Sequence, residues 1–394
     1  MKLTFQHWKI DTTTPVLVRI DGNVPHEEHV ITDYFRLQRI RATLETLYQR
    51  GCPVILVTHV NRPKGDVDPK HSTAMIATWL SRHGYTVEHI PCDPNRTITT
   101  YMRHVKPRER TITVLDNIRF FPGEKSHDEH FVYELANSAS YYINDAWGMM
   151  HRTDASVYAV AQQFAHTHRS YGHVVHQEIQ ALSQLRNKPQ RPYVVFSGGA
   201  KIASKIPILE DLVDHELPDT IAVMPGIAGT FLRAQGYNVG ASLWNKDYVD
   251  QARRIIEKAH ARNIQIDIPD DAYIVRDAWD NELETVSIGN IPDNGIIIAS
   301  GPETLSRYGM YTQQARTLFL NGPMGDIAYW HTIEPFKQLL RLIETSSAYT
   351  VVGGGDSVAI IHTLAIDPCD YSSTGGGSTL AYISRTHLPA LDIL

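Results

Sequence analysis

The chain reads as an α/β protein of two lobes, each built on a parallel sheet, joined by a single helix and holding a ligand cleft between them. Three observations carry that expectation. Short β-branched runs alternate with helical stretches from one end to the other, the rhythm of βα units and parallel strands. A proline-rich break, KPQRP, separates two such series of similar size. The 394 residues also exceed by more than twofold the ~150 of a typical domain, and 42% hydrophobic content is enough to bury a core in each half.

The first series opens with the strand-like PVLVRID, then the periodic YFRLQRIRATLETLYQRG, PVILVTH, STAMIATWLSRHG and TVEHI. It continues through TITVLDN, FVYELANSA, YYINDAWG and VYAVAQQFA. HQEIQALSQLRN then places Ile179, Leu182 and Leu185 at helical spacing, and the prolines that follow end the helix. The second series runs from PYVVFSGG, with a helix starting near Lys201, through DTIAVMP, IAGTFLRAQG, YVDQARRIIEKAHARN, IQIDIPDD and RTLFLNGP. It closes with EPFKQLLRLIETSS, YTVVGGGD, SVAIIHTLA and STGGGST.

Charge and cysteine content narrow the function classes. The formal charge is −6, from 37 Lys+Arg against 43 Asp+Glu, so the overall field draws the chain neither to nucleic acid nor to an anionic membrane. Any anion site must be a local cluster. Cys52, Cys92 and Cys369 show no CxxC spacing, which argues against a disulfide framework and a structural zinc and fits a reducing cytoplasm. The N-terminal MKLTFQHWKIDTTT lacks an apolar leader core, and no run of about 18 apolar residues occurs.

Ligands of open parallel sheets sit beyond the carboxyl ends of the strands, so polar residues there matter most. In the first half these are Arg19, Asp21 and Asn23 in VRIDGNVP, His59 and Arg62 in VTHVNRPKG, Arg119 in LDNIRFFPG, and His151 with Arg152 in NDAWGMMHR. Arg36 follows near the start of a predicted helix. Planar guanidinium groups pair bidentately with carboxylate or phosphate, and several converging on one crevice bind a small polyanion.

The second half offers glycine-rich turns instead. SGGAK follows a strand, and VVGGGDS and SSTGGGST each open a helix. Glycines let backbone approach a phosphate while a helix N-terminus presents free N–H groups. Lys201 and Lys205 are spaced to share a helix face toward a phosphoryl chain. Asp356, after three glycines, is placed to hold Mg²⁺ against phosphates. Neither GxxxxGK[ST] nor an opening GxGxxG occurs, so hydride transfer loses its fingerprint and phosphoryl transfer across a cleft is favoured. The 20 histidines include no HExxH, and HDEHF reads as a solvated helix start. Trp79, Trp147, Trp244 and Trp330 read as core or cleft-lining residues.

Eight stretches, VRIDGNVP, THVNRPKG, LDNIRF, NDAWGMMHR, GGAKIASKI, LNGPMG, VVGGGDS and STGGGS, resemble in sequence and order the motifs of the phosphoglycerate kinase family, from about Val16 to the C-terminus. The resemblance implies two Rossmann-like lobes. Residues 1–172 would bind 3-phosphoglycerate, with 378–394 packing back on them, 173–187 would form the interlobe helix, and 188–377 would bind nucleotide. It implies reversible in-line phosphoryl transfer between 1,3-bisphosphoglycerate and MgADP on cleft closure, giving 3-phosphoglycerate and MgATP. A cytoplasmic monomer with no nucleic-acid or membrane partner is expected.

Carried over by position, Asp21 and Asn23 would contact the glycerate hydroxyl and carboxylate end, and His59, Arg62, Arg119 and Arg152 the phosphate that does not move. Arg36 would reach the carboxyl and the migrating group, which Lys205 and Lys201 would stabilise in flight. Asp356 would bind Mg²⁺, while Gly353, Gly354, Gly355, Ser357, Asn321 and Pro323 would line the phosphate path. Gly198, Gly199 and Gly226 would serve the base, and Gly375, Gly376 and Gly377 would supply amides to the transition state.

The chain departs from the family pattern at Met224 and Pro225, where glycines are usual, at Ser204 in place of an acid, and at Ala328 and Ala381 in place of glutamates. Ala328 falls where the family's ribose-binding carboxylate lies. A related carboxylate kinase with altered nucleotide preference, or a silent nucleotide-binding homologue, are the alternatives. Retention of Arg36, Lys205 and Asp356 speaks against silence.

Overall fold

The computed structural model describes residues 5–394 apart from 64, 94, 96, 188, 278–281 and 326–329, with the side chains of Trp330 and Asp356 also outside the description. Two units emerge from the chain's internal contacts, Met1–Ile179 with His387–Leu394, and Gln180–Thr386. The division falls inside the helix His173–Asn187, the stretch expected to join the two series.

Unit 1 holds β1 (Val16–Ile20), a small hairpin of β2 (His26–Glu27) and β3 (Val30–Ile31), β4 (Val54–Val57), β5 (Val87–Ile90), β6 (Ile112–Leu115), β7 (Tyr141–Asp145) and β8 (Arg169–Tyr171). Its main sheet has the order β5-β6-β4-β1-β7-β8 and is parallel throughout. Every residue of β1, β4 and β6 is buried, as strands covered by helices on both faces must be. The helix Phe35–Gln49 turns Leu37, Ile40, Leu44 and Leu47 inward, a single apolar stripe. HDEHF does start a helix, Glu129–Ala136, where the Asp128 carboxylate accepts from the Phe131 amide at 2.7 Å.

At the end of β7 the buried Asp145 accepts from Thr43 Oγ1 at 2.6 Å and from the Val175 amide at 3.1 Å. Its carboxylate thereby anchors the positive end of the helix His173–Asn187.

Unit 2 holds β9 (Tyr193–Ser197), β10 (Thr220–Val223), β11 (Gln265–Asp267), β12 (Asp271–Val275), β13 (Glu284–Ser287), β14 (Ile296–Ser300), β15 (Thr317–Asn321), β16 (Tyr349–Gly353) and β17 (Tyr371–Ser373). The parallel sheet runs β11-β10-β9-β15-β16-β17. A separate antiparallel sheet, β13-β12-β14, has no counterpart in the sequence reading. Its strands follow one another without the intervening helices that mark βα units, and Ala272 and Ile274 bury against Leu232, Val239, Ile288 and Ile291.

Two further expectations are revised. The helix Gly377–Ile383 belongs to unit 2, with Tyr382 Oη 3.0 Å from Ser183 Oγ, so the returning segment is 387–394 rather than 378–394. Trp79 and Trp147 are buried, but Trp244 is 37% exposed, lying under the Arg233 guanidinium. No helix among the described residues is long and apolar enough to cross a membrane.

Candidate active site

In unit 1 the side chains singled out from the sequence cluster beyond the carboxyl ends of four adjacent parallel strands. Asp21 and Asn23 follow β1, His59 and Arg62 follow β4, Arg119 follows β6, and Arg152 follows β7. Arg36, on the first turn of the helix Phe35–Gln49, lies 3.4 Å from the Asp21 carboxylate and donates to the Asn23 carbonyl at 2.7 Å. The Asn23 side chain accepts from the Asn61 amide at 2.8 Å, and the Asn61 carbonyl accepts from Arg119 at 2.7 Å. Backbone of the turn after β4 thus links the β1 and β6 loops.

Arg62, Arg119 and Arg152, with Lys125, Ser126 and Gly65, line a cavity of about 620 Å³. Among the described residues, Arg62 and Arg152 make no side-chain hydrogen bond or ion pair. Arg119 is different. It is 6% exposed, pairs with Asp154 at 3.3 Å, and its Nε has no hydrogen-bond partner. Burial lowers its pKa even with Asp154 beside it. For Asp154, burial pushes the carboxyl up, but Lys125, at 2.7 Å, and Arg119 outweigh it and hold the group below its ordinary value. One carboxylate therefore anchors two cations at the cavity wall.

His59 is buried, and its pKa lies well below the ordinary imidazole value, first from burial and then from Arg19, Arg119, Arg36 and Arg152. Arg19 itself is not a solvent-facing strand-end ligand. It is fully buried, donating to Ser156 Oγ at 2.8 Å and to the Ile20 carbonyl, with a third nitrogen 3.0 Å from His59 Nδ1. Lys125, Asp154, Ser156 and Glu124 went unnoticed in the sequence. Their signal was available in FFPGEKS and HRTDAS, polar stretches directly after β6 and β7.

In unit 2 the turns after β9, β10 and β15 pack backbone on backbone. The Pro225 carbonyl accepts from the Gly199 amide at 3.3 Å and the Gly325 amide at 2.8 Å, and the Asn321 carbonyl accepts from the Gly198 amide at 3.1 Å. Only glycine fits at two of these places. At Gly226, φ is +105° and a Cβ would fall 2.6 Å from the Gly199 carbonyl carbon. At Gly322, φ is +90° and a Cβ would lie 2.2 Å from the Gly198 oxygen. Proline at position 225 removes no acceptor from this arrangement, because its carbonyl is what the neighbouring turns use.

Lys205 is 8% exposed, with Nζ donating to the Asn321 carbonyl at 2.9 Å and to its side-chain oxygen at 2.5 Å. Lys201 does not share its helix face. It caps the helix Ile202–Asp214 from outside, with ψ 62°, and is exposed. Gly354, at φ +100°, caps the helix Gly355–Leu364. The buried Ser357 hydroxyl in the first turn of that helix has no hydrogen-bond partner among the described residues. Gly375 to Gly377 form the turn into the helix Gly377–Ile383, where the Gly375 amide reaches Ser373 Oγ at 3.4 Å.

Close by, Gly226, Gly229, Ala241, Ser242, Leu243, Ile296 and Ile297 line a mainly aliphatic pocket of about 220 Å³. Its one side-chain hydroxyl, Ser242 Oγ, already accepts from the Ile297 amide at 2.8 Å. Ala328 and its neighbour Asp326 lie outside the described residues, as does the Asp356 side chain. Among the described residues no group of three or more His, Cys, Asp or Glu side chains is arranged to hold a metal ion.

Comparison with known proteins gives the family of the chain. A phosphoglycerate kinase of Rubrobacter xylanophilus is 35% identical over 386 residues, covering 96% of this chain and 95% of its own. One from Salinispora tropica is 36% identical over 391 residues, again with 96% and 95% covered. The solved phosphoglycerate kinase of Coxiella burnetii superimposes with a TM-score of 0.85 at 29% identity, covering 100% of this chain and 98% of that one. Since the model of the family described as phosphoglycerate kinase matches residues 9–385, the chain belongs to the phosphoglycerate kinase family.

Proposed function

We propose that unit 1 binds 3-phosphoglycerate through Asp21, Asn23, Arg36, His59, Arg62, Arg119 and Arg152, and that unit 2 binds the adenine nucleotide. The reaction is that of the family, phosphoryl transfer to and from a carboxyl group with ATP or ADP as co-substrate. The observation that carries the division of labour is the unit 1 cavity, in which Arg62 and Arg152 hold no internal partner and Arg119 retains a free Nε. A site of that composition takes a phosphate that stays put while its carboxylate reacts.

The chemistry needs no general base. A carboxylate with a pKa near ~3.5 is ionised at neutral pH and attacks phosphorus directly. What remains is alignment and neutralisation of charge on the equatorial phosphoryl oxygens. Arg36 supplies that charge from unit 1, its position set by Asp21 and the Asn23 carbonyl. Lys205 supplies it from unit 2, held by Asn321, with Lys201 and the amides of Gly375, Gly376 and Gly377 as further donors. Transfer requires both sets to converge on one phosphoryl group, which also removes water that would hydrolyse an acyl phosphate.

The nucleotide phosphates would lie on Gly353, Gly354, Gly355, Ser357, Asn321 and Pro323, beside the helix that starts at Gly355. The unpartnered Ser357 hydroxyl fits a site that accepts an oxygen-rich ligand. Asp356 would hold Mg²⁺ there together with the phosphates, a donor set of the hard oxygens that ion prefers. When bound, the ion neutralises phosphate charge. The base would enter the aliphatic pocket beside Gly198, Gly199 and Gly226. With its only side-chain hydroxyl occupied, that pocket offers little to tell one base from another. We place the enzyme in the cytoplasm as a monomer without nucleic-acid or membrane partners, consistent with its −6 charge and three unpaired cysteines.

A coupled assay with 3-phosphoglycerate and ATP, GTP or 2′-deoxy-ATP tests the whole reading. Turnover with 3-phosphoglycerate is expected, with kcat/KM for the three nucleotides within about tenfold of one another. No turnover with any of them refutes the assignment, and a hundredfold preference for ATP refutes the account of the base pocket and of Ala328.

A further inference from the structure

We propose that Glu124, acting through Ser156 and Arg19, positions His59 with its proton on Nε2, so that the anion site is offered a neutral imidazole donor instead of an imidazolium. The inference rests on the reading of His59 as a ligand of the acid's phosphate. It follows from the direction in which each hydrogen bond of a buried chain must run.

Glu124 is 0% exposed, and its two carboxylate oxygens accept from the Ser156 amide and from Ser156 Oγ, each at 2.8 Å. The same Oγ lies 2.8 Å from Arg19 Nε. A guanidinium can only donate, so the hydroxyl receives from Arg19 and must direct its own proton to Glu124. The second contact follows the same rule. An Arg19 terminal nitrogen is 3.0 Å from His59 Nδ1, which must therefore present its lone pair, and a neutral ring then carries its proton on Nε2. The remaining Arg19 nitrogen donates to the Ile20 carbonyl, a backbone group at the end of β1. Donation runs one way, from Arg19 outward to both His59 and the Ser156–Glu124 pair, and no member can reverse it.

The charges around the chain are consistent. His59 faces Arg19 on β1, Arg36 on the helix Phe35–Gln49, Arg119 after β6 and Arg152 after β7, all of which oppose a further positive charge. Glu124 faces Arg19, Ser156 and, at longer range, Asp154. Arg19 and His59 lie within a site already rich in guanidinium groups; burial raises the Glu124 carboxyl to about 7 against the pull of Arg19, and what fixes the direction of the chain is that the Glu124 oxygens accept both Ser156 protons. Glu124 touches no ligand atom in this account. It is a positioning residue, acting two hydrogen-bonded partners away from the imidazole.

The test needs no variant to begin with. In ¹⁵N-resolved spectra of the full-length wild-type protein between pH 5.5 and 8, His59 should show the Nε2–H tautomer throughout and no titration. An Nδ1–H tautomer, or an imidazolium forming near the ordinary value of ~6.5, overturns the proposal. In Ser156→Ala and in Glu124→Gln, His59 should become a tautomer mixture or begin to titrate. KM for 3-phosphoglycerate should then rise about tenfold, with kcat changed less. A Ser156→Ala protein whose His59 stays fixed as Nε2–H overturns the relay, whatever happens to its stability. A His59 signal that stays Nε2–H but does not move when 3-phosphoglycerate is added refutes the donor role. Turnover in the coupled assay then shows that the site as a whole survives.

Discussion

The candidate site of unit 1 is built from side chains, and that of unit 2 from backbone. In unit 1 each guanidinium group has a separate environment, with Arg19 balanced by Glu124 through Ser156, Arg119 balanced by Asp154, and Arg62 and Arg152 left unbalanced. In unit 2 the glycine turns lock against one another through carbonyl and amide contacts, and Lys205 adds a buried charge beside them. The difference is instructive. A side-chain site can be weakened one residue at a time, with distinct effects on binding and turnover. A backbone site yields little to side-chain truncation and fails when a Cβ is added.

The largest effects test the proposal that Arg36 and Lys205 act on the same phosphoryl group. Arg36→Ala and Lys205→Ala each remove charge that matters most in the transition state, so kcat should fall by roughly 10²-fold or more while KM values change less. Unchanged kcat in either variant, measured at saturating substrates, would remove that residue from the transfer step. Next, Arg152→Ala should raise KM for 3-phosphoglycerate about tenfold and leave KM for ATP alone, since its proposed partner does not move. Equal effects on both substrates would erase the distinction between the regions.

A smaller effect is expected at Ser357. Its buried hydroxyl has no partner among the described residues, so Ser357→Ala should leave the melting temperature unchanged or slightly raised. KM for ATP should rise by about threefold, the loss of one hydrogen bond. A clear drop in melting temperature would show that the hydroxyl is structural.

The smallest effect concerns Asp145, which anchors the start of the helix His173–Asn187. Burial raises the Asp145 carboxyl to about 6, against its hydrogen bonds from Thr43 and the Val175 and Val174 amides. The folded form thus holds this proton more tightly than the unfolded chain does. Its contribution to stability is fully present below about pH 4 and is lost as pH rises through about 6. Thermal unfolding between pH 4 and 7 should show a slope that Asp145→Asn flattens by a few degrees, and an unchanged slope would assign the titration elsewhere.

Much of this was legible in one dimension because parallel α/β architecture repeats a local rule. Strands buried on both faces are continuous apolar runs, and the residue types that follow them are loop residues whose place at the carboxyl edge is set by topology. Hence Asp21, His59, Arg119 and Arg152 could be grouped before any coordinates. The antiparallel strands at 271–300 broke the rhythm and were passed over, and the lysine pair was misjudged because helix entry falls one residue after Lys201.

Composition, periodicity and motif order thus sufficed for the fold class and the family, and for grouping Asp21, His59, Arg119 and Arg152 at one edge of the unit 1 sheet. The tertiary structure alone decided which arginines are available and which are spent. Arg19 and Arg62 look alike in sequence, each a basic residue near the end of a buried strand. Yet Arg19 points inward to Ser156 and His59, whereas Arg62 stands at the cavity wall. That distinction depends on which distant residues, Glu124 and Ser156 among them, are folded behind the strand, and burial makes their partnership obligatory because an unpaired charge there would be prohibitively costly.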